Sequence, residues 1–109
     1  MKTAIIGSRN LTLANLEEYL PHNTTEIISG GAKGIDTCAE ELANRLGIRL
    51  TVIRPDYRHY GKGAPLKRND EIIAKADIIL AVWDGKSRGT KYVIDKCKEL
   101  DKPVIVKMV

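Results

Sequence analysis

Five short apolar runs, Thr3 to Gly7, Glu26 to Ser29, Leu50 to Arg54, Ile78 to Trp83 and Val104 to Met108, alternate with segments whose apolar residues recur every three or four positions. A chain with that alternation has few folds open to it. Strands that read as nearly continuous Ile, Leu and Val are buried on both faces, which is the situation of a parallel sheet covered by helices. Right-handed crossovers place successive strands side by side. The βαβαβαβαβ string therefore predicts an α/β fold: a single Rossmann-like domain with a five-stranded, mostly parallel sheet and helices on both faces. A chain of 109 residues has room for one such core and not for two, so residues 1–109 are assigned to one domain. With no Phe in the sequence, the core falls to Ile, Leu, Val and Ala.

The helical segments have readable ends. Ile35, Cys38, Ala39, Leu42, Ala43 and Leu46 share one face of a helix that Gly47 terminates. A first helix is expected over Leu13 to Leu20, capped by Thr12 or Asn10 and stopped by Pro21. A third is expected over Pro65 to Lys75, with proline in its first turn and an apolar face of Leu66, Ile73 and Ala76. The last, over Thr90 to Leu100, buries Val93, Ile94, Cys97 and Leu100. The longest irregular stretch, Asp56 to Ala64, is a candidate lid or binding loop.

Ligands in open parallel sheets bind beyond the carboxyl ends of the strands. Here those ends carry Gly7, Ser8 and Arg9; Ser29, Gly30 and Gly31; Arg54 and Pro55; and Asp84 and Gly85. The segment Ser29-Gly30-Gly31-Ala32-Lys33-Gly34-Ile35-Asp36 joins a strand to a helix with almost no bulky side chains, so main-chain N–H groups can converge on an anion at a helix N-terminus. Lys33 supplies a charge that a mere turn does not need. Asp36 is suited to cap the helix or to favour its positive end. Ser8 and Arg9 are placed to touch the ligand. Arg68 and Asn69 sit near a helix start, where an arginine does not help the macrodipole, and are assigned to phosphate or ribose. A second loop, Asp84, Gly85, Lys86, Ser87, Arg88, Gly89 and Thr90, offers hydroxyls and an arginine to another phosphate or ribose, with Asp84 either binding ribose or capping the helix. Tyr57, His59, Tyr60, Gly61 and Lys62 mix aromatic rings with cations, a composition suited to stacking on a base. Trp83 reads as core, and His22 is given no role.

Other classes are disfavoured. No apolar run is long enough to cross a bilayer, and Met1-Lys2 leads into the first strand without the apolar stretch of a secretory leader, so a cytoplasmic location without membrane association is expected. Cys38 and Cys97 match no metal-ligand spacing and read as reduced, buried thiols; neither a metal nor a cofactor is expected. Residues 1–54 carry as many basic as acidic side chains, so the net charge of +4 arises in the second half. It concentrates in Arg54, Arg58, Lys62, Lys67 and Arg68, against Asp56 alone.

Taken together, Ile6-Gly7-Ser8-Arg9, the Ser29 to Asp36 string, Arg68-Asn69 and Ala76-Asp77 resemble the SLOG superfamily of Rossmann-like domains over essentially the whole chain, in particular its small YspA-type, YpsA-related group. That superfamily includes the DprA and LOG-type phosphoribohydrolase branches. The resemblance implies binding or sensing of a nucleotide or an NAD-derived, ADP-ribose-like ligand. It leaves open an N-glycosidase acting on nucleoside phosphates, with Arg68 and Asp84 as candidate catalytic residues, and DprA-like binding of single-stranded nucleic acid. The hydrolase branch carries Pro-Gly-Gly-x-Gly-Thr-x-x-Glu after its fourth strand. Here Gly89 and Thr90 match, Gly85, Lys86 and Ser87 replace Pro-Gly-Gly, and Val93 stands where the glutamate would be. Valine neither activates a water nor stabilises an oxocarbenium, so the binding half of the pattern is better kept than the catalytic half. Self-association into a homo-oligomer is also expected.

Overall fold

The computed structural model describes residues 1–109. Five strands, β1 (Lys2–Gly7), β2 (Glu26–Ser29), β3 (Arg49–Val52), β4 (Ile78–Trp83) and β5 (Val104–Met108), form one all-parallel sheet in the order β3-β2-β1-β4-β5. The helices are α1 (Ile35–Leu46), the single turn α2 (Tyr57–Tyr60), α3 (Ala64–Lys75) and α4 (Arg88–Glu99). The fold is thus the single α/β domain expected, with β1 at its centre.

Alternation along β1 divides the core. Ala4 and Ile6 join Ile28, Ile79 and Ala81 beneath Ile72 and Ile73 of α3 and Val93 and Cys97 of α4. Ile5 joins Ile27, Leu80 and Val82 beneath Ile35, Ala39 and Leu42 of α1. Each fully buried Ile or Leu contributes about 1.5–3 kcal/mol, so the sheet is held from both faces. Crossovers to the β3 side therefore carry α1 on one face, and crossovers to the β5 side carry α3 and α4 on the other. Because the chain runs from β1 through β2 to β3 on one side and then crosses back to β4 and β5 on the other, a crevice opens beyond the carboxyl ends of β1 and β4.

Five local expectations are corrected. The helix over Leu13 to Leu20 is only a 3-10 turn, Leu16–Tyr19, with neither Thr12 nor Asn10 as its cap. Its bonds run Glu18 N to Asn15 O at 3.0 Å and Leu20 N to Glu17 O at 3.2 Å, while Asn15 donates its amide to Glu18 at 2.9 Å. Asn competes locally with helix formation, and Pro21 leaves too few residues to propagate one. The stretch Asp56 to Ala64 is not irregular: it winds into α2 and a 3-10 turn, Gly61–Gly63, started by His59 N donating to Asp56 Oδ1 at 3.2 Å. Leu100, expected in the core, lies beyond the end of α4 and is exposed, and Leu66 likewise turns outward. Cys97 is buried as expected, whereas Cys38 is only half-buried.

Candidate functional site at the carboxyl ends of the strands

The crevice is built first by packing. A Cβ on Gly7 would lie 2.5 Å from the Val82 carbonyl and 2.7 Å from Ile35 Cβ, so glycine lets the start of α1 rest on the central strand. Ser8, buried, ties three elements together: its carbonyl accepts from Leu11 N and Ile35 N, both at 3.4 Å, and its hydroxyl accepts from Asp84 N at 3.4 Å. Gly34, with φ of 71°, brings its Cα against the Arg9 carbonyl, a conformation and a closeness that a side chain opposes.

The glycine-rich loop is laced to its own side chains. Gly31 N donates to Ser29 Oγ at 3.2 Å, Ala32 N to Asp36 Oδ2 at 3.1 Å, and Thr37 Oγ1 to the Ala32 carbonyl at 3.1 Å. The Ser29 hydroxyl also lies 3.2 Å from Glu40 Oε2 and 3.3 Å from the Asp36 carbonyl. Two of the N–H groups expected to meet an anion are therefore engaged within the loop, and Asp36 braces it. Burial pushes the Asp36 carboxyl above its ordinary pKa, against the Ala32 N–H and the positive charges of Arg68 and Arg9.

Open donors come instead from α3. Arg68 and Asn69 are only 7% and 8% exposed. Arg68 Nη1 donates to the Gly30 carbonyl and Nε donates to Asn69 Oδ1 at 2.8 Å. Arg68 Nη2 and Asn69 Nδ2 are left without a partner in the chain, at the wall of the crevice. Burial lowers the Arg68 pKa and Asp36 opposes the shift; a guanidinium stays charged in either case. Across the crevice, Asp84 accepts from Lys86 N and Ser87 N, each at 2.8 Å, and those bonds hold its carboxyl below the usual range. Ser87 in turn caps α4 by accepting from Thr90 N at 3.4 Å. Trp83 donates its indole N–H to the Ser87 carbonyl at 3.0 Å, a structural use.

These elements enclose a cleft of about 590 Å³. Of the residues expected at the site, it brings together Gly7, Arg9, Gly30, Ala32, Asp36, Arg68, Asn69, Asp84, Ser87, Gly89 and Thr90. Gly31 and Lys33 line a second cavity of about 420 Å³ with Arg9, Arg68, Pro55 and Tyr57. Ser8, Ser29, Gly34, Gly85 and Arg88 line neither, and the first three act as supports for the loops that do. The sequence reading did not assign Ile6, Asn10, Pro65, Leu66, Ile72 or Lys86 to the cleft wall, and placed Val93 there only as the residue standing in for a glutamate. Lys86 had a signal in its loop position; the others are ordinary strand, helix and turn residues until the fold gathers them.

Over 85 residues the chain is 34% identical to the Gene 61 protein of Mycobacterium phage D29, an alignment that spans 72% of this chain and 68% of that protein. No protein-family model and no solved structure matches the chain.

Proposed function

This chain belongs to the family of the phage Gene 61 protein, and we propose that it binds or senses a nucleotide-like ligand in the cleft beyond β1, β2 and β4. One observation carries the reading: two buried side chains, Arg68 and Asn69, each with an uncommitted donor, line a cleft at the point where the sheet order reverses. Uncommitted donors beside a fixed positive charge suit phosphate or ribose oxygens. Gly89 and Thr90, at the start of α4, add the positive end of a helix to the same wall. Binding without cleavage is favoured because the buried Val93 lies on the cleft wall, Asp36, the other carboxyl there, is tied to Ala32 N within the glycine loop, and Asp84 is held ionised by its own loop. A general acid or base working near neutrality needs the opposite shift.

The test is a thermal-shift series with AMP, ADP, ATP, ADP-ribose and NAD at low and moderate salt. A ligand at about 100 times its Kd adds about 2.7 kcal/mol, which moves a midpoint by several degrees. A salt-tolerant shift that Arg68→Met abolishes supports the reading. A shift seen only with an oligonucleotide, and lost as salt rises, overturns it in favour of the single-strand alternative. For the self-association expected of the chain, support comes from the unpaired edge of β5, where Ile105, Val106 and Met108 are exposed. Light scattering should give twice 12.1 kDa, and Val106→Lys should restore the single mass.

A further inference from the structure

The second cavity opens off the first, and the residues that line both are Arg9, Gly30, Ala32 and Arg68. The junction is thus a waist of two guanidinium-bearing residues and two small ones. Gly30 lets the guanidinium rest on the loop there, since a Cβ would lie 2.7 Å from Arg68 Nη1 and 2.9 Å from Asp36 Oδ2. A boundary bearing two cations and two residues with little or no side chain suits a phosphate bridge better than a base. Beyond the waist stand Lys33, Pro55 and Tyr57.

Tyr57 is the aromatic residue of that second cavity. It opens α2, whose start is pinned by the Asp56 bond to His59 N, and its ring is 57% exposed rather than packed in the core. It lines the second cavity together with Arg9 and Arg68. The neighbouring rings are used otherwise. His59 and Tyr60 pack edge to face with centroids 4.5 Å apart, Lys67 Nζ lies 5.8 Å over Tyr60, and neither ring lines either cavity. The mixed aromatic and cationic loop therefore delivers one free ring, beside cations, at the far end of a two-lobed cleft.

We propose that the ligand consists of two nucleoside units joined through phosphate, its bridge lying at the Arg9 and Arg68 waist and its second base stacked on Tyr57. This rests on the nucleotide-binding reading above and adds the size of the ligand and the residue that selects it. Stacking on an aromatic ring tolerates any base and is lost on truncation to alanine, by roughly tenfold in affinity.

Isothermal titration at one moderate salt concentration with AMP, ADP-ribose and diadenosine diphosphate tests it. ADP-ribose carries the bridge and the second sugar without the second base, so the comparison isolates the ring. Diadenosine diphosphate should bind at least about tenfold more tightly than ADP-ribose, Tyr57→Ala should erase that ratio, Tyr57→Phe should keep it, and Tyr60→Ala should leave it unchanged. Equal affinities, or a ratio that survives Tyr57→Ala, overturn the proposal. If AMP and ADP-ribose bind and the second base adds nothing, the two-nucleoside ligand falls and the nucleotide reading stands; if none of the three binds, both fall. An affinity that keeps climbing from dinucleotide to hexanucleotide overturns it in favour of a single strand.

Discussion

Arg68→Met separates what Arg68 does for the fold from what it does for a ligand. Methionine keeps most of the buried stem and removes the donors. The lost bonds are a charged donor to the Gly30 carbonyl and the 2.8 Å bond to Asn69 Oδ1. A hydrogen bond to a charged group contributes about 1.5–3 kcal/mol, and an acceptor left bare in a buried place costs about 1–3 kcal/mol. Relief of the desolvated guanidinium offsets part of this, so the net loss is about 2–3 kcal/mol. For a domain of this size that is a fall in Tm of roughly 10 °C. Urea unfolding at constant m is the assay. The deficit should also depend on pH. Asp36 has its pKa raised by burial and held down in part by Arg68, so removing the arginine raises it further. A carboxyl with a raised folded pKa costs stability while it is ionised, and the cost disappears as pH falls through that pKa toward the unfolded value. The variant should therefore lag most at neutral pH and recover part of its deficit on acidification. A loss below about 1 kcal/mol, or a deficit that grows as pH falls, would refute Arg68 as a strut of the glycine loop.

Three further outcomes follow from the same geometry. Gly34→Ala forces a side chain into a left-handed φ of 71° and against the Arg9 carbonyl, and should cost roughly 2–4 kcal/mol in chemical denaturation. Asp84→Asn should lower Tm at neutral pH and lose that difference in strong acid, because a carboxyl with a depressed folded pKa stabilises only while ionised; an equal Tm at all pH values would show that the Lys86 and Ser87 bonds contribute nothing. In a thiol-reagent titration Cys38, half-buried, should react in the native protein, and Cys97, whose pKa burial raises, should react only on unfolding.

Strand positions were legible because each strand carries its own apolar run, whereas the order was not: successive strands were expected side by side, yet β4 returns past β2 to pair with β1. β2, β4, β5 and α1 lie where the pattern set them, and Gly47 ends α1 with φ of 66°. The first helix failed because Asn15 and Pro21 act over three or four residues, a range at which the Leu13, Leu16 and Leu20 spacing looks helical. Cleft residues were legible where chemistry marks them, as at Arg68 and Asn69, and invisible where the residue is as ordinary as Leu66 or Ile72.

What the sequence determined by itself was the sheet, its layers and the rim on which polar and small residues gather, since those follow from local periodicity and chain handedness. The use of each polar group was decided only in three dimensions. Nothing local shows that Asp36 turns back to take the Ala32 N–H, that Ser8 joins β1 to Asp84, or that Arg68 reaches 38 residues along the chain to Gly30. A hydrogen bond is assigned by distance and direction, and residues remote in sequence acquire both only when the sheet brings the strand ends together.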